Sequence, residues 1–125
     1  MKLELLGKKL GMSQVYDENN NLVPVTIIEA GPCPVLQVKT EDKDGYSAIQ
    51  IGYNPNGKSP NKSNSCSKGH AKKAGVNAQQ VSQEFRLDIG HEFKPGATIT
   101  VEDFKDIKTV DVVSKTKGKG FQGVV

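Results

Sequence analysis

Tryptophan is absent from this 125-residue sequence, and only 35% of its residues are hydrophobic. So few apolar side chains predict one domain with a small core and a large share of loop. No stretch approaches the roughly 18 consecutive apolar residues of a membrane-spanning helix. The opening "MKLELLGKKLGMS" has too short an apolar run for a secretory signal and lacks a small-residue cleavage site. The expected compartment is therefore the cytosol, with no membrane partner. Cysteine is equally scarce: Cys33 stands between two prolines and Cys66 among Ser, Asn and Lys. Two such residues make no disulfide framework and are expected as reduced thiols. With only His70 and His91 beside them, no Cys/His spacing resembles a zinc site, and no metal or cofactor is predicted.

A catalytic constellation is missing too. His70 lies among lysines without an acid near it in sequence, and His91 has only Glu92 beside it. No serine occupies a nucleophile elbow. The acid pairs Glu41-Asp42 and Glu102-Asp103 fall in or beside turns, where solvated carboxylates are the ordinary reading. No enzyme activity is predicted.

Lysine is what the sequence has in quantity. Of 17 basic residues all but Arg86 are lysines, and the net charge is only +3. The charges are segregated. Lys58, Lys62, Lys68, Lys72 and Lys73 occupy one stretch without an acid; Lys115, Lys117 and Lys119 form a second; Lys8 and Lys9 form a third. Acids gather elsewhere, at 41–44 and 102–106. Segregated basic loops on a nearly neutral chain suggest a polyanion contact on one side of the molecule, against the alternative of solvated, flexible lysine loops.

Turn signals separate short stretches of strand-like alternation. Gly7 to Gly11 reads as a basic loop, Ser13 to Tyr16 as a strand, and "DENNN" (17–21) as a turn that tolerates left-handed backbone. Leu22 to Ala30 is a β-branched strand, which makes a hairpin. "GPCP" (31–34) is expected not to pair as a central strand, because its prolines donate no hydrogen bond. Val35 to Thr40 and Tyr46 to Tyr53 alternate around the turn "EDKDG" (41–45), so 13–53 is expected as an antiparallel meander. Residues 54–67 show no apolar period and read as a long basic loop. "KGHAKKAG" (68–75) reads as a short helical turn closed by Gly75. Strands follow from about Val81 to Leu87, at Ala97 to Val101 and at Lys108 to Ser114. The expected fold class is mainly all-β: one small antiparallel β-barrel with one short helical segment.

The ending "KTKGKGFQGVV" contains Gly118-Lys119-Gly120-Phe121-Gln122-Gly123, the G-x-G-x-x-G spacing. A dinucleotide loop must open a helix and be followed, about 20 residues on, by an acid for the ribose. Only Val124 and Val125 follow here, so a nucleotide site is rejected. Two readings stay open. One is a flexible tail. The other is a phosphate-contacting segment in which glycines admit close approach and lysines neutralise charge, with Phe121 stacking on a base or plugging a core edge.

Several stretches together resemble one family. "LGKKLGMSQVYDENNNLVPVTIIEAGPCPVLQVKTEDKDGYSAIQIGY" (6–53), "KGHAKKAG" (68–75) and "FRLDIGHEFKPGATITVEDFKDIKTVDVVSKTKGKGFQG" (85–123) are similar to the N-terminal part of the universal large-subunit ribosomal protein L-three family, bacterial type. The resemblance implies a β-barrel of the translation-protein type, without enzyme activity, that binds large-subunit ribosomal RNA near its 3′ end, acts early in assembly and lies among neighbouring large-subunit proteins in the cytoplasmic ribosome. By position it implies RNA contacts at Lys8 and Lys9, at Lys68, His70, Lys72 and Lys73, and at Lys115, Lys117, Gly118, Lys119, Gly120, Phe121 and Gln122. The charge reading adds Lys58 and Lys62.

Departures from the family pattern are also visible. Ser13 stands where Thr is usual. Ala71 replaces an aromatic, which would remove a base-stacking or packing group worth roughly 1–3 kcal/mol. Family members continue beyond the G-F-Q-G motif into a basic extension toward the peptidyl-transferase centre and then add strands. The chain is therefore expected to be a truncated barrel, with 114–125 as the base of an extension it does not contain. The alternative is an isolated or engineered module that self-associates or binds protein through an open strand edge.

Overall fold

A computed structural model describes residues 3–54, 63–87 and 93–124. In chain order the elements are β1 (Gly7–Tyr16), β2 (Leu22–Ala30), β3 (Cys33–Lys39), the single helical turn α1 (Glu41–Asp44), β4 (Ala48–Tyr53), α2 (Ser65–Lys73), β5 (Val81–Arg86), β6 (Thr98–Ile99) and a 3₁₀ turn at Val101–Phe104. The all-β class holds. The described strands form two antiparallel sheets, a β1–β2 ribbon and a four-stranded sheet in the order β5-β4-β3-β6, and do not close into one barrel.

The ribbon is built by its turn. Asp17 accepts hydrogen bonds from the backbone N–H groups of Asn19 and Asn21 at 2.8 and 2.9 Å. Asn20 takes the left-handed region at φ 60°, as the run of asparagines led us to expect. The bond from Asn21 is the main reason that the Asp17 carboxyl lies below its ordinary pKa. The expected basic loop at Gly7 to Gly11 is instead the first half of β1. Lys8 pairs with Glu29 and Lys9 with Ile28, and a bulge between Lys9 and Gly11 shifts the register by one residue.

The expected continuous meander over 13–53 breaks at Gly31, whose φ of 64° turns the chain from one sheet into the other. Cys33 and Pro34 do pair, with Ile99 and Thr98, in a strand flanked on both sides. Proline is tolerated there for a local reason. Val35 donates to Ala97 O (2.7 Å) and accepts from Gly96 N (2.8 Å), so the β6 side is served by Val35. The N–H that Pro34 lacks would point the other way, where pairing with β4 begins only at Val35.

Most of the core lies on one face of the larger sheet. Cys33, Val35, Ile49, Ile51, Tyr53 and Ile99 are buried together, and Leu3, Leu5 and Leu6 of the N-terminal segment pack over them. Leu36, next to Val35, lies on the opposite face, where it meets Ala71 and Ala78, and a bulge between Val35 and Gln37 returns Val38 to the core face. The Tyr53 hydroxyl of β4 donates to Glu29 O of β2 (3.1 Å) and so ties the two sheets, while Gly31 N donates to Leu6 O (3.1 Å) just beyond the paired end of the ribbon. Burial also pushes the Cys33 thiol above its usual pKa.

Two further expectations change. The Ala97 to Val101 strand shrinks to two residues, because Thr100 and Asp103 form a capping box that starts the 3₁₀ turn. Lys108 to Ser114 forms no strand. Its Val110, Val112 and Val113 are exposed, and no described strand lies against them.

Candidate nucleic-acid interface

Helix α2 begins three residues earlier than its sequence period suggested. Asn64 caps it, its side chain accepting from Ser67 N at 2.8 Å. Its end is equally well specified. Gly75 adopts φ 73°, Gly75 N donates to Lys72 O and Val76 N donates to Ala71 O, at 3.1 and 3.2 Å. That pair of bonds is the Schellman closure, and Val76 packs beside Ala71 as the motif requires. The sequence "HAKKAGV" thus carries its own stop signal.

The helix has an inner and an outer face. Ala71 is only 2% exposed, against Leu36 and Ala78. His70 is half-buried, and its Nε2 donates to Gln50 Oε1 of β4 at 2.7 Å. Position 71 faces the sheet, so what Ala71 forgoes relative to an aromatic is packing and not base stacking. Lys68, Gly69, Lys72 and Lys73 are exposed, and no acidic side chain lies in the helix. His70, Lys72 and Lys73 occupy the last turn, where positive charge is favoured by the helix dipole.

The other candidates are placed differently. Lys8 and Lys9 alternate on β1, so they lie on opposite faces of the ribbon and do not form one patch. Lys115 to Gln122 has no helix or strand and is exposed throughout, with Gly120 at φ 72°. Phe121 is fully exposed and plugs no described core. The glycine run lies in no described helix or strand. Lys58 and Lys62 lie outside the described residues, as does His91.

Sequence reasoning missed a polar cluster on the α2 side of the sheet. Lys39 Nζ lies 2.8 Å from Glu84 Oε1 and donates to the Tyr46 hydroxyl at 2.8 Å; that hydroxyl donates to Glu84 Oε2 at 2.8 Å. Arg86, the single arginine, sits 5.4 Å from the Tyr46 ring centroid. The Lys39 ammonium, then the Tyr46 hydroxyl, hold the Glu84 carboxyl below its ordinary pKa. Glu84 and then Tyr46 push Lys39 well above its own. Tyr46 and Glu84 are 38 apart in sequence, and Lys39 lies further still from Glu84; they meet through strand register, so no local signal could have found them. Among the described residues, no group of three or more His, Cys, Asp or Glu could hold a metal ion, and no helix is long and apolar enough to cross a membrane.

No family model matches the chain. The large ribosomal subunit protein uL3 of Corynebacterium kroppenstedtii is 51% identical over 118 residues, 94% of this chain and 53% of the relative. Its namesake from Corynebacterium glutamicum strain R is 49% identical over 121 residues, 97% of this chain and 55% of the relative. That of Natranaerobius thermophilus is 45% identical over 125 residues, all of this chain and 59% of the relative. The chain spans little more than half the length of these curated relatives. Nothing in them or in the described residues shows catalytic activity. Over nearly its whole length, the chain matches the N-terminal part of large ribosomal subunit protein uL3.

Proposed function

We propose that this chain is a structural component of the large ribosomal subunit that binds large-subunit ribosomal RNA and supports early assembly, in the cytoplasm. The observation that carries the reading is the two-sided construction of α2: Ala71 and His70 are spent on the sheet, while Lys68, Lys72 and Lys73 face outward with no acid in the helix. Lysine ammonium groups act as mobile point charges toward phosphate, which favours backbone contacts over reading of bases. The exposed tail, with Lys115, Lys117 and Lys119 interleaved with glycine, supplies a second phosphate contact in the same chemistry. Specificity then rests on RNA shape.

Neighbouring large-subunit proteins are the second class of partner. Eight large apolar side chains of the ribbon, Met12 and Ile27 among them, are exposed, more than solvent-facing strands ordinarily carry.

The test is a salt titration of binding to large-subunit ribosomal RNA by filter retention. Replacing Lys68, Lys72 and Lys73 together with Ala is expected to lower affinity and to flatten the log–log salt slope by about 2 to 3. A slope that does not move would remove α2 from the interface. Absence of salt-dependent binding by the unaltered chain would remove the RNA reading altogether.

A further inference from the structure

Gly69 occupies the middle of α2, where glycine costs helix stability relative to alanine. In the other described elements and turns, glycines have an internal reason. A Cβ at Gly7, Gly52 or Gly96 would crowd neighbouring atoms; Gly31, Gly45 and Gly75 have left-handed φ; Gly11 adjoins a bulge. Gly69 has none of these. It is exposed, its φ is not left-handed, and a Cβ built there meets nothing within 4 Å. The fold leaves room for a side chain that the sequence does not supply.

The surroundings of this gap are charged. Lys72 and Lys73 follow Gly69 by three and four residues and so adjoin it on the helix surface. Helical side chains lean toward the N-terminus, which directs both lysines back over the glycine. Lys68 precedes it directly and is exposed as well. The result is a notch in the outer face of α2, floored by backbone and rimmed by ammonium groups.

We propose that this notch is where an RNA phosphate backbone makes its closest approach to the helix, with Gly69 the position that sets the distance. The inference rests on the RNA-binding reading above and adds to it a steric element that the lysines alone do not require. A phosphate seated against bare helix backbone comes nearer to the axis than any side chain would allow, and Lys72 and Lys73 then reach it from one turn further on. Charge complementarity selects the polyanion: nothing acidic lies in α2 to suit a basic partner, and the notch is not apolar.

The prediction has opposite signs for folding and binding. In the full chain, Gly69→Ala is expected to raise the melting temperature, because alanine favours the helix and meets no neighbour. Gly69→Gln should fold as well as the unaltered chain. Both should bind large-subunit ribosomal RNA more weakly, Gln by about tenfold, equivalent to ~1.4 kcal/mol of overpacking at the contact. The Lys72→Ala/Lys73→Ala pair is measured alongside. If that pair weakens binding while both Gly69 variants bind normally, the notch is overturned and the RNA reading stands. If the pair and the Gly69 variants all bind normally, the notch is overturned and α2 is not the interface. If Gly69→Ala melts lower than the unaltered chain, the glycine serves the fold and the inference is overturned.

Discussion

The β1–β2 ribbon and the β3–β4–β5 part of the larger sheet use the same kind of sequence to opposite effect. Both alternate β-branched residues and are antiparallel. In the larger sheet Ile49 and Ile51 are 1% and 0% exposed; in the ribbon Ile27 and Ile28 are 47% and 44% exposed. The difference is not propensity but cover. The larger sheet has the N-terminal leucines on one face and α2 on the other. The ribbon has two strands and, among the described residues, no layer of its own, an arrangement that is marginal in water without something packed against it. Burial, not strand formation, separates the stable part of the molecule from the part suited to contact.

The strongest test of that contrast is a pair of truncations. Ile49→Ala should destabilise by about 2–5 kcal/mol, since it empties a closed core. Ile28→Ala should cost less than about 1 kcal/mol, mainly its cross-strand contact. Urea unfolding followed by circular dichroism reads both, and equal losses would abolish the distinction. Next in size is Gly52→Ala. The added Cβ falls on the Gln79 side chain where the segment after α2 crosses β4, and overpacking there should cost about 1–3 kcal/mol. The same urea midpoints check it.

Hydrogen exchange sharpens the comparison without a mutation. Amides of β1 and β2 are expected to exchange faster than those of β4, because the ribbon opens without disturbing the core. Uniform protection across both sheets would mean that they open as one unit.

The smallest expected effect concerns the Lys39–Tyr46–Glu84 cluster. The folded-state pKa of Glu84 is depressed, so its contribution is present above the ordinary glutamate range and is lost as pH falls through the folded value. Lys39 is shifted upward, so its contribution is complete below the ordinary lysine range and is lost only as pH rises through its higher folded value. The Lys39 and Glu84 side chains are 19% and 35% exposed, and solvent screening keeps both effects small. Stability should decline modestly from about pH 6 to about pH 3, and Glu84→Gln should flatten part of that decline. An identical acid profile in the variant would mean that the cluster contributes nothing to folding.

How far the structure was legible in the sequence varied by residue. The "DENNN" turn, the closing Gly75 and the strand from Val81 were readable, since each depends on neighbours within a few residues. Pro34 was misread because its missing N–H matters only on the side it would face, and on the β4 side pairing begins only at Val35. Lys108 to Ser114 alternates as a strand should, yet no described strand pairs with it. The lysines of α2 were identified from charge alone. That His70 turns inward to Gln50 was not, because the contact spans 20 residues. The glycine at 69 drew no notice as one among 13, and became informative only when the space around each could be compared.

By itself the sequence determined the all-β class, the segregation of charge into lysine-rich stretches and the family resemblance. All of these follow from composition, short-range periodicity and motif order. The tertiary structure alone decided which alternating strands are buried, which face of α2 is spent on the sheet, that Lys8 and Lys9 diverge, and that Lys39, Tyr46, Glu84 and Arg86 meet. The reason is physical. A residue's conformation answers largely to its neighbours in the chain, whereas its burial and its partners answer to whatever layer the rest of the fold brings against it.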